Sequence, residues 1–230
     1  MEPLLLLGLL GLGAWAALDN VALGQFMVSR PLVTGTLAGT LLGDPWNGFV
    51  LGALLEVTHL WRVPAGGARL PESGPAAIPG AVLAVIAPPG AGLAAGFVLA
   101  LVLAALGGAG VVGHRRLIGG LLGPEAGVSR PARLRGVLLL GLTLDALRGA
   151  LITGTGLAVA LQAPTGLLAR WPLDPASTLV LLLLGAALPA GTLARTLLPE
   201  RASRRLLLAA GILLGAGAAL MTGGFPGGGP

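Results

Sequence analysis

Glycine at every fourth position runs through the most informative stretch of this chain. Gly35, Gly39 and Gly43 fall on one side of a helix, Gly48 and Gly52 repeat the spacing, and Glu56 occupies the next position on that face. A stripe without side chains lets two helix backbones touch, which is how helices pack in lipid, where the hydrophobic effect gives them no reason to associate. Arg30, Asp44, Glu56 and His59 are scattered along the same apolar stretch from Gln25 to Glu72. A carboxylate at bilayer depth costs roughly 2.5–3.5 kcal/mol on insertion scales, so it is expected to face protein or a wet cavity. The stretch therefore reads as a polar site assembled inside a membrane.

The rest of the chain agrees. Only 10% of its 230 residues are charged and 55% are hydrophobic, with a mean hydropathy of +0.91. A soluble domain carries about 25% charged residues to cover its surface. The expected class is an all-α polytopic membrane protein. Its 40 glycines and 18 prolines predict re-entrant or broken half-helices among the transmembrane ones, because neighbours in a membrane bundle can satisfy the freed backbone groups. There is no cysteine, which excludes disulfides and thiolate chemistry, and two histidines make a His-rich metal centre implausible. No metal or cofactor is expected. The pI near 11.6 comes entirely from arginines lying mostly between apolar runs. That pattern fits membrane topology rather than nucleic-acid binding.

Pro3 to Leu18 is an apolar run whose preceding residues include Glu2 and no basic residue, the wrong polarity for a signal peptide. Arg30-Pro31 opens a short piece that Asp44-Pro45 breaks, and Asn47 to Leu60 is equally short. Two half-length helices about a polar turn are favoured over one long kinked helix. Residues Arg62 to Pro75 read as a polar loop, Ala76 to Ala87 as another short apolar piece, and Gly92 to Gly113 as a span. Further spans are expected at Gly136–Gln162, Ala176–Ala194 and Leu206–Thr222. The arginine-rich connections 114–135 and 195–205 fall on one side and the nearly neutral 163–175 loop on the other. The positive-inside rule makes the basic side cytoplasmic.

Several residues could carry function. Glu56 and His59 share a helical face, and a carboxylate there could accept hydrogen bonds from a polyol. His59 reads more simply as a helix-end residue beside Trp61. Asp145 and Arg148, three apart in an apolar run, form a predicted intramembrane pair that either locks helices or serves transport. Asp44 fits a turn or helix cap better than a ligand, Arg30 could snorkel to headgroups, and Asp19 and Gln25 could line a cavity. No GxSxG elbow, P-loop lysine or HExxH is present, and GHRRLIGG at 113–120 lacks the strand–turn–helix context of a phosphate cradle.

SRPLVTGTLAGTLLGD at Ser29–Asp44, NGFVLGALLEV at Asn47–Val57 and the acid after proline at Pro71-Glu72 together resemble the IIC subunit of the mannose–fructose–sorbose family of the bacterial sugar phosphotransferase system (PTS). The resemblance covers about a fifth of the chain. It implies one integral domain over 1–230 in the bacterial inner (cytoplasmic) membrane, with a site-forming region at 19–75 and a helical bundle at 92–222. It implies a IID membrane partner, possible assembly as a trimer of IIC–IID pairs, and soluble IIB and IIA phosphoryl carriers. The subunit would translocate a hexose-like sugar for phosphorylation by IIB and would hold no catalytic or phosphorylated residue of its own. Glu56 becomes the leading sugar ligand, with Gln25, Arg30 and Asp44 near the site. Two positions depart from the family pattern: Glu72 stands where aspartate is usual, and Ser29 stands where some members have histidine. The alternatives are a non-transporting anchor or sensor for soluble PTS proteins that uses the arginine-rich loops, and an ion-coupled permease with Asp145 as its proton site.

Overall fold

The computed structural model describes residues 1–60, 69–123 and 131–197, with a few more positions between 205 and 213. Among the described residues the secondary structure is helical throughout. In chain order the helices are α1 (Pro3–Val21), α2 (Pro31–Leu41), α3 (Pro45–His59), α4 (Ser73–Ile86), α5 (Ala91–Leu122), α6 (Pro131–Leu161), α7 (Thr165–Leu168) and α8 (Pro175–Leu197). Five of them begin on a proline. Proline suits that position because its fixed φ matches the helix and its missing N–H would have had no intrahelical acceptor.

Among the described residues three helices, α1, α5 and α6, are long and apolar enough to cross a membrane. At 1.5 Å per residue α5 is about 48 Å long and extends beyond a hydrocarbon core of about 30 Å. By the same measure α2 and α3 are about 16 Å and 22 Å long and neither crosses. They fold back on each other at Gly43, whose φ of 83° lies in the left-handed region that glycine enters without penalty. The glycine stripe is the seam of this hairpin. A Cβ on Gly35 would lie 2.7 Å from the Gly48 carbonyl oxygen, and one on Gly48 would lie 2.9 Å from the Gly39 Cα.

The short helix α4 is the centre of the molecule. Every residue from Gly74 to Ala84 is buried, and α5, α2, α6 and α3 all pack on it. Much of its surface is glycine and alanine, the composition that permits backbone-to-backbone approach from several sides. After the Pro88-Pro89-Gly90 turn α5 runs back along α4, placing Gly96 against Gly80 and Ala104 beside Glu72. α1 lies antiparallel to α6, with Gly13 against Gly149.

Two boundaries differ from the sequence reading. The basic connection expected at 114–135 is mostly helix: His114 to Leu122 continue α5, and Pro131 to Arg135 open α6. Leu117, Ile118, Leu121 and Leu122 prolong the helical pattern across Gly119-Gly120, and no proline intervenes before Gly123, with φ 68°, and Pro124. The loop expected at 62–75 ends earlier than read, because Ser73 to Pro75 form the first turn of α4. Its residues 61–68, Trp61 included, lie outside the described residues, as does most of the span expected at Leu206–Thr222. In the 163–175 connection Asp174 caps α8, accepting the Ser177 hydroxyl at 2.6 Å and the Ala176 and Ser177 amides at 3.0 Å. These bonds, the Ser177 hydroxyl's first, hold its carboxyl below the ordinary carboxylate range.

Candidate functional site

The α2–α3 hairpin has a tip and a base. At the tip, Asp44 caps α3 through its Oδ1, which accepts the Asn47 amide at 3.1 Å, while Oδ2 accepts the Asn47 side-chain amide at 2.6 Å. Glu56 lies twelve residues further along α3, about 18 Å away, at the base. There the Arg30 guanidinium, just before α2, donates to Glu56 Oε1 at 2.9 Å. The second oxygen, Oε2, is buried and has no hydrogen-bond partner among the described residues. An ionised carboxylate can accept on both oxygens, so half of its capacity is unused.

That carboxylate borders a hollow of about 380 Å³ between the hairpin base, the end of α1, the start of α4 and the middle of α5. Asn20, Ser29, Arg30, His59, Ser73 and Arg115 also line it. The volume falls in the range of roughly 300–1,000 Å³ usual for small-molecule sites. His59 Nδ1 lies 2.8 Å from the Leu55 carbonyl one turn back, which fixes its ring at the wall.

Asp19 and Gln25 have different surroundings. Asp19 is buried, and its carboxylate accepts the backbone amides of Phe26 and Ser29, the latter at 2.9 Å. It thereby pins the α1–α2 connection, in which Gln25 and Met27 take positive φ values of 52° and 65°. Gln25 borders a second, larger hollow of about 710 Å³ between the end of α1, the later half of α5 and the early half of α6.

Asp145 and Arg148 are in contact, with Arg148 Nη2 at 2.8 Å from Asp145 Oδ1, but they do not stand alone. Arg148 Nη1 also bonds Glu72 at the start of α4, and His114 Nδ1 of α5 lies 2.7 Å from Asp145 Oδ1. One guanidinium and one imidazole thus join α4, α5 and α6 near the midpoints of the two longest helices. Their side-chain exposures run from 1% for Glu72 to 14% for His114, and a cluster buried so deeply is stable only while its charges stay matched.

Reading the sequence locally missed Glu72 and His114. Glu72 fell in a segment taken for a loop, although Ser73-Gly74-Pro75 followed by an apolar run is a fair helix-start signal. His114 was placed in a basic connection, although the helical pattern of α5 continues through it.

The family model for the PTS system sorbose-specific IIC component matches residues 4–123. The sorbose-specific EIIC component of Klebsiella pneumoniae is 36% identical over 85 residues, 37% of this chain and 31% of that protein. The mannose-specific EIIC component of Escherichia coli K12 gives the same figures. The fructose permease IIC component of Bacillus subtilis is 36% identical over 94 residues, 40% of this chain and 34% of that protein. The matched stretch spans about a third of the length of these relatives. A solved structure of a membrane protein superposes with a TM-score of 0.67, covering 98% of each chain at 19% identity, and shares the fold.

Proposed function

Because this chain belongs to the family of the PTS sorbose-specific IIC component, we propose that it is the membrane subunit that binds a hexose-like sugar and passes it across the bilayer. The sugar occupies the 380 Å³ hollow at the hairpin base. Glu56 accepts from its hydroxyls, Arg30 holds the carboxylate in place, and Asn20, Ser29 and Ser73 supply neutral partners. Charge-assisted hydrogen bonds are shorter and stronger than neutral ones, so a carboxylate holds a polyol well where water is excluded. The matches to sorbose-, mannose- and fructose-specific relatives support a hexose-class substrate. In this reading a IID subunit completes the membrane unit, and movement between helical bundles presents the sugar to a phosphorylated IIB protein, itself recharged by IIA. Phosphorylation traps the product, so the chain needs neither an ion gradient nor a catalytic group of its own.

The observation that carries the reading is that Glu56, whose second oxygen is buried and unclaimed, lines a solute-sized hollow. Its test is sugar binding by the chain co-expressed with a IID candidate. Glu56→Gln keeps the shape and removes the charge, which should weaken binding about 10- to 100-fold, the worth of a hydrogen bond to an ionised group. Unchanged affinity would refute the assignment.

A further inference from the structure

The two hollows are neighbours. Asn20, Val21, Val111 and Arg115 belong to the lining of both, so they share a wall at the end of α1 and the middle of α5. The smaller hollow holds Glu56. The larger one is apolar over most of its surface, through residues such as Ile118 and Leu138, and its polar groups are Asn20, Gln25, His114, Arg115 and Asp145. His114 Nδ1 lies 2.7 Å from Asp145 Oδ1, and the other nitrogen of the ring is Nε2. That atom is buried without a partner among the described residues. It lies next to Gly141, another residue lining the hollow, where an added Cβ would come within 3.9 Å of it. Arg115, Arg116, Arg133 and Arg135 cluster at the end where α5 finishes and α6 begins, and arginine excess marks the cytoplasmic end of membrane helices.

Resting on the reading of Glu56 as the sugar site, we infer that the larger hollow is a second sugar station on the cytoplasmic side, through which the solute passes after leaving Glu56. The shared wall at Asn20 and Arg115 is the passage between the stations. The Asn20 and Gln25 amides meet the sugar hydroxyls, and the apolar remainder of the wall lets go of a polyol readily. A station of this kind holds the sugar weakly, as passage requires.

Gly119 provides the test. It lines the larger hollow only, and a Cβ added there meets no atom within 4 Å. Gly119→Trp therefore fills the space without a backbone clash, and Gly119→Ala is its control. Both are compared with the wild-type chain, each co-expressed with the IID candidate, for sugar binding and for uptake coupled to phosphorylation. Gly119→Ala should keep both within twofold. Gly119→Trp should keep binding within twofold and lower uptake at least tenfold, and Leu138→Trp, on the facing helix, should reproduce that split. Uptake within twofold of wild type in both tryptophan variants would overturn the inference, and so would loss of binding in both, since the bulk would then be acting on the Glu56 hollow. A wild-type complex that binds no sugar would instead sink the reading of Glu56.

Discussion

Glu56 and Glu72 both sit near the end of a short helix, and both are paired with an arginine, yet their surroundings differ. The Glu56 side chain is 20% exposed and Arg30 is 56% exposed. The Glu72 side chain is 1% exposed and Arg148 is 12% exposed. Arg148 is also shared with Asp145, which in turn holds His114. At the hairpin base the guanidinium is partly in the open, and the acid it pairs with lines a cavity. In the cluster, three helices converge on charges that are paired with one another away from water, with Glu72 Oε1 and Arg148 Nε also buried without a partner among the described residues. On the function proposed above, the difference separates two uses of an acid inside a membrane: one to meet a solute, the other to hold the bundle together.

The largest expected effect breaks the cluster. Arg148→Met leaves Glu72 and Asp145 buried without their shared counter-charge, which should cost about 3–5 kcal/mol of stability. Thermal unfolding in detergent, with folded yield as a second readout, measures it. The triple variant Arg148→Met, Glu72→Gln, Asp145→Asn should recover much of the loss, because replacing a whole buried ionic group is far less costly than stranding part of one. If Arg148→Met melts within about 1 kcal/mol of the wild type, less than the smallest loss expected of a broken buried pair, then the cluster is not the lock that its burial implies.

The two regions were not equally legible in the sequence. The hairpin could be read because its determinants are local: a glycine every fourth residue, Asp-Pro at the turn, and an acid on the same stripe. Even the cap at Asp44 follows from residues three apart. The cluster depends on packing that local patterns do not encode. Asp145 and Arg148 announced a pair by their spacing, but Glu72 reaches Arg148 across 76 positions, and only the packing of α4 on α6 brings the two together. His114 was hidden because arginines beside it suggested a loop, while the apolar residues that follow kept α5 helical.

A smaller effect is expected at the hairpin tip. Asp44→Ala removes the cap of α3 and should cost about 0.5–2 kcal/mol, seen as a modest fall in melting temperature. Because Gly35, Gly39, Gly48 and Gly52 still hold the seam, the hairpin should loosen at Gly43 rather than separate. Faster hydrogen exchange confined to the amides of Trp46 and Asn47, with the Glu72–Arg148 region unchanged, would show that tip and cluster are stabilised independently. Exchange spreading into α4 would show instead that the hairpin and the cluster form one cooperative unit.

The smallest stability change is expected at Arg30, and it is the most discriminating. Arg30→Met removes a counter-charge that is more than half exposed, and ion pairs in contact with water are worth roughly 0–1 kcal/mol. Its melting temperature should therefore stay close to that of the wild type while Arg148→Met falls far below. Sugar binding should weaken all the same, because Glu56 loses the group that orients its carboxylate. Small stability loss with a clear loss of affinity is the signature of a site. Were Arg30→Met to destabilise the protein as severely as Arg148→Met, the hairpin base would be a second lock, and Glu56 would have to be read as Glu72 is.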